Sequence, residues 1–420
     1  MTGPERLDLQ PVRGMRDYVG VEGDHLLSLI TLFWEQVSLF GYTPCLTPLL
    51  EEAGVFSRSL GETSDVISKE MYTLLDRGGD PLVLRPEGTA GIVRALLSNR
   101  LHQDMPAHLA YAGPMFRYER PQKGRLRQFH QVGVEHFGEA SPEADVESLL
   151  LSWRYLRAVG VAEDARLHIN TLGDPESRAA FRCALIEHLT PLAEALSADS
   201  QRRLQANPLR ILDSKDPADH QALIGAPALQ DFLTPLARAH FDRVCEGLSA
   251  LSIPFEINPR IVRGLDYYVH TTFEWVHGGL GAQGTLLAGG RYDGLVKTMG
   301  GPDLPGVGWA AGVERLMLAT VPPRVQDVSV VVMPEEDSSS FYAQALAQDF
   351  RNAGFSTVVW AEGSLKKRLK KAAQRSIPHV VFVGQADSDV GTLTLKMMAT
   401  GDQHQLSRAS AVTFLKGAAL

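Results

Sequence analysis

The sequence predicts an α+β domain that carries a helical insertion and is followed by a smaller α/β domain. Three observations lead there. The chain has 420 residues, too many for one hydrophobic core. Strand and hairpin patterns run to about residue 174, yield to unbroken helical patterns over about 175–250, and resume at Phe255. Beyond the proline-marked linker VPPRVQ, at about 321–326, apolar runs alternate with helical patterns, as in a mainly parallel sheet. The domains are therefore expected over 1–322 and 326–420.

After a polar start containing RGMRDY, Leu26, Ile30, Phe33, Val37 and Phe40 recur at helical spacing. They predict a helix over about 24–40, capped by Asp24 and stopped by Gly41. Pro44 and Pro48 keep the next stretch extended. MYTLLDRGGDPLVLRPEGTAGIVRALL reads as a hairpin turning at RGGD, a strand, and a helix opened by RPEGTA. Glu87 and Thr89 sit at that turn, and Gly88 permits close backbone approach. The same residues also suit a plain helix start, so the local pattern leaves cap and ligand site both open.

Phe116 to Glu135, FRYERPQKGRLRQFHQVGVE, reads as strand, polar loop, strand. Period-two alternation puts Gln131, Gly133 and Glu135 on one face. The loop carries Arg120, Lys123, Arg125 and Arg127, and no acid lies between Arg120 and Val134. Next, Ser141 is the expected cap and Pro142 the first residue of a helix whose Val146, Leu149, Leu150, Trp153 and Leu156 face a core. RLHINTLGD is a strand into a turn, and FEINPRIVRGLDYYVHTTFEWV brings strands back after the helical stretch. GVGWAAGVERLML runs from strand straight into helix, with Arg315 in the early turns. In the second domain VSVVVMP is a strand buried on both faces and GSLKKRLKKAAQR a helix.

Composition excludes several classes. No apolar run approaches the length of a membrane helix, and the N-terminus lacks an apolar signal core. Cys45, Cys183 and Cys245 are too far apart for a CxxC site or a disulfide framework, which favours a reducing, cytoplasmic setting. The net charge of −8 argues against a coat of nucleic acid but leaves room for local basic patches. No GxxxxGK[ST], HExxH or dinucleotide fingerprint occurs, and no nucleophile triad is indicated.

What remains is a set of arginines (Arg117, Arg263, Arg315), acids (Glu87, Glu135), Thr89, Gln131 and the pair Tyr267/Tyr268. Guanidinium forks around one cavity suit a triphosphate; carboxylates, amide and hydroxyl suit a zwitterionic amine. Such a site works by positioning and charge stabilisation. Two basic patches stand apart, the hairpin tip and the run Lys366, Lys367, Arg368, Lys370, Lys371 and Arg375. The second also fits a solvated helix face, but patches in two domains favour a polyanion spanning both.

These segments resemble the histidine–tRNA ligases (histidyl-tRNA synthetases), a class II aminoacyl-tRNA synthetase family, over essentially the full length. The resemblance rests on RGMRDY, KEMYTLLDRGGDPLVLRPEGTA, FRYERPQKGRLRQFHQVGVE, NPLRILDSK, VRGLDYY, GAQGTLLAGGRYDGL and GVGWAAGVERL. It implies a class II catalytic domain on an antiparallel sheet and an anticodon-binding α/β domain. It also implies two steps, histidyl-adenylate formation from L-histidine and ATP and transfer to tRNA(His). Carried over, Arg117 and Arg263 are the catalytic pair: Arg117 holds the α-phosphate and Arg263 stabilises its developing charge, both also bordering histidine. Arg315 holds the γ-phosphate, and Arg125 reaches either ATP or RNA. Glu87, Gly88, Thr89 and Gln131 bind the amino-acid end, while Glu135 and Tyr268, with Tyr267 and Tyr292 nearby, read the imidazole. Strict strand alternation would allow only one of Tyr267 and Tyr268 to reach the substrate. Arg120, Gln122, Lys123 and Arg127 face the tRNA. Mg2+ accompanies ATP, with ligands that the sequence does not assign. A homodimer forms through the 24–51 segment. The alternative is a histidine-binding regulatory paralogue, the regulatory subunit of ATP phosphoribosyltransferase, which charges no tRNA; the retained loop, arginines and second domain weigh against it.

Overall fold

Helix α1 (Val21–Ser38) buries His25, Leu26, Leu29, Phe33 and Val37. It begins earlier than the apolar spacing implied, because Gly20 occupies the N-cap and Asp24 falls in the first turn, where its charge suits the helix dipole. This computed structural model describes residues 9–60, 66–212, 214, 216–259, 261, 267–323 and 328–418. It divides into two units, Met1–Pro323 and Arg324–Leu420.

In the first unit α1 leads to β1 (Thr43–Pro44), β2 (Leu50–Glu52) and α2 (Ala53–Leu60). The RGGD hairpin forms as expected, from β3 (Tyr72–Leu75) to β4 (Pro81–Leu84), with Gly79 at φ +93°, and α3 (Thr89–Ser98) follows. The long hairpin is β5 (Ala107–Phe116) and β6 (Gln128–Phe137). Helix α4 (Pro142–Ala158) starts at Pro142, but the Ser141 side chain makes no capping hydrogen bond. Then come β7 (Ala165–Thr171), α5 (Pro175–Leu189), α6 (Ala198–Ala206), α7 (Pro217–Ala222), α8 (Pro235–Ala250), β8 (Phe255–Ile257), β9 (Val269–His277), β10 (Thr285–Arg291), α9 (Leu295–Thr298), β11 (Gly306–Gly312) and α10 (Val313–Ala319).

Eight strands form one sheet in the order β1-β5-β6-β11-β10-β9-β7-β8. The inner pairs are antiparallel; the outermost pairs, β1 with β5 and β7 with β8, are parallel. On one face α1, α4, α8 and α10 pack over a core that includes Phe33, Tyr155, Trp275 and Trp309. On the other, Ile92, Leu96, Tyr111, Phe137 and Tyr292 form a second core.

The helical stretch splits by its packing. Phe181, Leu185, Leu189, Leu196, Ile211 and Ala222 make a core of their own. Helix α8 instead sends Phe241, Val244 and Leu248 into the main core.

Arg291 and Asp145 lock β10 to α4. Both side chains are fully buried, and Arg291 also donates to the Glu139 and Ser141 carbonyls and to Asp293. Removing one partner of such a pair strands a buried charge. Arg291→Ala is therefore expected to cost about 3–5 kcal/mol, read as a lower denaturation midpoint in urea.

The second unit contains β12 (Val330–Pro334), α11 (Ser340–Asn352), β13 (Thr357–Val359), α12 (Leu365–Gln374), β14 (His379–Val383), α13 (Gln385–Val390), β15 (Thr392–Met397), β16 (Gln403–Ser407) and α14 (Arg408–Ala418). Its sheet order is β13-β12-β14-β15-β16, with parallel pairing only among the first three. The sequence thus overstated the parallel share: β15 and β16 form a terminal antiparallel hairpin. In α12 one member of the basic run is not on the surface. Arg368 is buried and donates to the Pro334 and Trp360 carbonyls, while Lys366, Lys367, Lys370, Lys371 and Arg375 stay exposed.

Candidate active site

Strand β6 carries the site because its neighbours leave room above it. Gln131 lies opposite Gly113 of β5 and Gly312 of β11, and Glu135 lies opposite Gly308. A cavity of about 330 Å3 opens on this face, a volume within the range of small-ligand sites. Arg117, Arg125, Arg315, Gln131, Glu87, Thr89, Tyr267, Tyr268 and Tyr292 all line it. A larger cavity of about 620 Å3 at the helical insertion has mostly apolar walls and lacks this convergence of charged groups.

The arginines occupy one region. Nε of Arg117 donates to the Pro86 carbonyl at 2.8 Å, which ties the hairpin to the turn before α3. Glu119 lies 3.8 Å from Arg117 and 3.2 Å from Arg125. Arg315 donates to the Thr285 carbonyl at 2.9 Å. Burial, with Arg125 and Arg117 close by, lowers the Arg315 pKa. Crowded guanidiniums with a single acid between two of them favour an incoming polyanion.

The polar floor is more tightly tied. At the start of α3 the Glu87 carboxyl accepts from the Thr89 and Ala90 amides, and Glu87 also borders the cavity. Burial raises the Glu87 pKa. Glu135 lies just behind the lining. Thr89 Oγ1 donates to it at 2.6 Å and the Tyr292 hydroxyl donates to its other oxygen. A Cβ on Gly308, which lines the cavity, would stand 2.2 Å from Glu135 Oε2. The missing side chain at 308 is thus the opening between carboxylate and cavity. Gly88 lies off the lining, and a Cβ there would stand 2.2 Å from the Tyr111 ring. Gln131 Oε1 is buried without a partner among the described residues.

Burial pushes the Glu135 carboxyl up from 4.5 to about 8, against the two hydrogen bonds, and nearby Glu87 adds to the rise. The folded protein therefore keeps a proton that the unfolded chain releases near 4.5, and stability falls as pH rises from about 4.5 to about 8. Glu135→Gln is expected to flatten that part of the melting-temperature profile of the ligand-free protein.

Both Tyr267 and Tyr268 line the cavity, with ring centroids 4.6 Å apart. The alternation argument does not apply to them, because β9 begins only at Val269. Arg263 lies outside the described residues. At the hairpin tip Arg120, Gln122 and Lys123 are exposed. Arg127 differs: its guanidinium lies 3.9 Å from the centroid of the Tyr118 ring and its Nε donates to the Glu119 carbonyl, so it braces the loop base.

The histidyl-tRNA synthetase family model matches residues 14–316, and an anticodon binding domain model matches residues 327–418. The chain belongs to the histidyl-tRNA synthetase family. It is 48% identical to the histidine–tRNA ligase of Gluconacetobacter diazotrophicus over 413 residues, 98% of this chain and 99% of that one. Identity to the Rhodospirillum rubrum histidine–tRNA ligase is 48% over 408 residues, 97% of this chain and 98% of that one. The crystal structure of the apo S. aureus histidyl-tRNA synthetase superposes with a TM-score of 0.81 at 28% identity, covering 97% of this chain and 99% of that one.

Within this synthetase fold some lining residues had no sequence signal. Glu119 lies in the hairpin loop just after Arg117, Glu274 on β9 and Glu314 at the start of α10, and no local pattern distinguishes them. Glu314 accepts from the Tyr18 hydroxyl at 2.9 Å and from the His130 amide, tying RGMRDY to the start of α10. Arg85 donates to the Thr47 and Pro114 carbonyls and fixes the strand before Glu87.

Proposed function

We infer that the chain is an ATP-dependent ligase that joins L-histidine to tRNA(His) through a histidyl-adenylate. The observation that supports this best is one cavity with Arg117, Arg125 and Arg315 in one region and Gln131, Thr89 and the three tyrosines in another. In this reading the histidine carboxylate attacks the α-phosphorus and pyrophosphate leaves; a hydroxyl at the tRNA 3′ end then attacks the adenylate carbonyl and AMP leaves. Arg117 and Arg263 stabilise the α-phosphate, and Arg315 holds the γ-phosphate. Arg125, beside Arg315 on the lining, joins the ATP side. Glu87, Thr89 and Gln131 take the amino-acid end, and Glu135 with Tyr267, Tyr268 and Tyr292 takes the imidazole.

Magnesium on ATP is held by one or two carboxylates plus phosphate oxygens. Glu119 and Glu274 line the same cavity and would hold it, adding charge neutralisation at the phosphates. Arg120, Gln122 and Lys123 at the exposed tip meet the acceptor end of the tRNA. The catalytic domain ends at about 322, and an anticodon-binding domain runs from about 326. A homodimer through the 24–51 segment is supported by exposed Leu27, Leu39, Leu46, Leu49 and Leu50. No described helix is long and apolar enough to cross a membrane, and we place the enzyme in the cytoplasm.

The experiment is histidine-dependent ATP–pyrophosphate exchange with Arg263→Ala alongside. Wild type should exchange and the variant should lose most activity. A wild type that binds histidine without exchange would instead match the regulatory paralogue.

A further inference from the structure

We propose that His108, His136 and Glu147 form a binding site for a zinc-class divalent cation on the face of the main sheet opposite the cavity. Nothing in the ligase reaction uses these residues. His108 and His136 are directly opposed across β5 and β6. Alternation places His136 on the face opposite Glu135, so the cluster belongs to the α1–α4 side of the sheet. Glu147 comes down from α4.

The donor atoms converge. The two imidazole Nε2 atoms are 2.9 Å apart, and one ligand atom from each of the three residues lies within 4.8 Å of the others. A carboxylate oxygen of Glu139 also stands 2.9 Å from the same His136 Nε2. Zinc bonds of about 2.0–2.2 Å in a tetrahedron set donors about 3.4 Å apart. The two rings would open by about half an ångström, and the Glu147 side chain, only half-buried, would close in.

One further observation favours a cation over a plain histidine pair. The Tyr42 hydroxyl is buried without a hydrogen-bond partner among the described residues. Its ring lies 5.2 Å from the His108 ring. A water bound to a cation here would give that hydroxyl a partner. Imidazole and carboxylate together suit zinc and its neighbours better than magnesium, so the site differs in kind from magnesium on ATP.

The test is calorimetric titration of the chelator-treated full chain with Zn2+, without histidine, which would itself bind the metal. Wild type should take up one tight equivalent per chain. His108→Gln and Glu147→Gln, both at half-buried positions, should each weaken that event at least about tenfold, the lower range for loss of supporting residues at such sites. His102→Gln, a histidine outside the cluster, should leave it unchanged. If wild type shows no tight event, or the first two variants keep it with unchanged circular dichroism, the proposal is wrong. A wild-type event lost equally in His102→Gln would also overturn it, since binding would then be scattered over surface histidines.

Discussion

Arg117→Ala is expected to lower histidine-dependent ATP–pyrophosphate exchange by about 10²–10³-fold, the usual loss when one preorganised donor to a developing charge is removed. The side chain is fixed before any ligand arrives. Its Nε is engaged by the Pro86 carbonyl, and the guanidinium carbon lies 5.3 Å from the centroid of the Phe129 ring. Among the described residues the terminal nitrogens meet only a loose contact with Glu119 at 3.8 Å, so they are available to a phosphate at little reorganisation cost. The loss should appear mainly in the maximal exchange rate, because the stabilised charge develops in the transition state. Arg117→Lys should recover only part, since an ammonium cannot satisfy the Pro86 carbonyl and a phosphate in the same geometry. Exchange kinetics at saturating ATP and histidine read this directly. An Arg117→Ala enzyme with wild-type maximal rate and only a raised ATP requirement would show that Arg117 binds without catalysing.

The parts of this site that were legible in the sequence are those set by local periodicity. Two-residue alternation placed Gln131, Gly133 and Glu135 on one face of β6, and the strand-to-helix passage placed Arg315 early in α10. What the sequence hid is the sheet order. Gly308 makes room for Glu135 only because β11 lies beside β6, and β11 begins far downstream at Gly306. No local pattern reveals that adjacency. The same limit explains Glu274 and Glu314, which reach the cavity through long-range pairing. Arg368 shows the converse: by composition it belonged to a basic surface, but its position on α12 faces the ends of β12 and β13, where the Pro334 and Trp360 carbonyls need donors. Capping guesses were weak for a further reason. A glycine can fill the N-cap position without a side-chain bond, and Gly20 displaced Asp24 from that role.

The second large effect is expected at Glu135. Glu135→Ala should lower the specificity constant for histidine on the order of 10⁴-fold, as when a site built to hydrogen-bond its substrate loses those partners. The carboxylate anchors two hydroxyls on the cavity wall, Thr89 and Tyr292, and removing it leaves both without their acceptor. It also stands directly behind the gap at Gly308, where an imidazole nitrogen can approach it. Glu135→Gln separates geometry from proton chemistry. The amide keeps the shape, one acceptor and donor hydrogens, but it does not titrate. In the wild type the carboxyl gives up its proton at about 8, so histidine binding should change across that pH. The Gln variant should bind more weakly than wild type, more tightly than the Ala variant, and without inflection near pH 8. Equilibrium binding of histidine to the three proteins between roughly pH 6 and 9, a span bracketing the Glu135 transition, decides the matter. If Ala and Gln variants bind histidine alike and both keep the inflection, the titrating group lies elsewhere and Glu135 serves only to hold Tyr292. Burial of an acid at this pKa also costs the empty fold stability at high pH, so the Gln variant, which retains an acceptor for the neighbouring hydroxyls, should melt above wild type there. A loss of affinity in a protein that melts higher cannot be ascribed to unfolding, which makes the Gln variant the most decisive probe of how the site selects its amino acid.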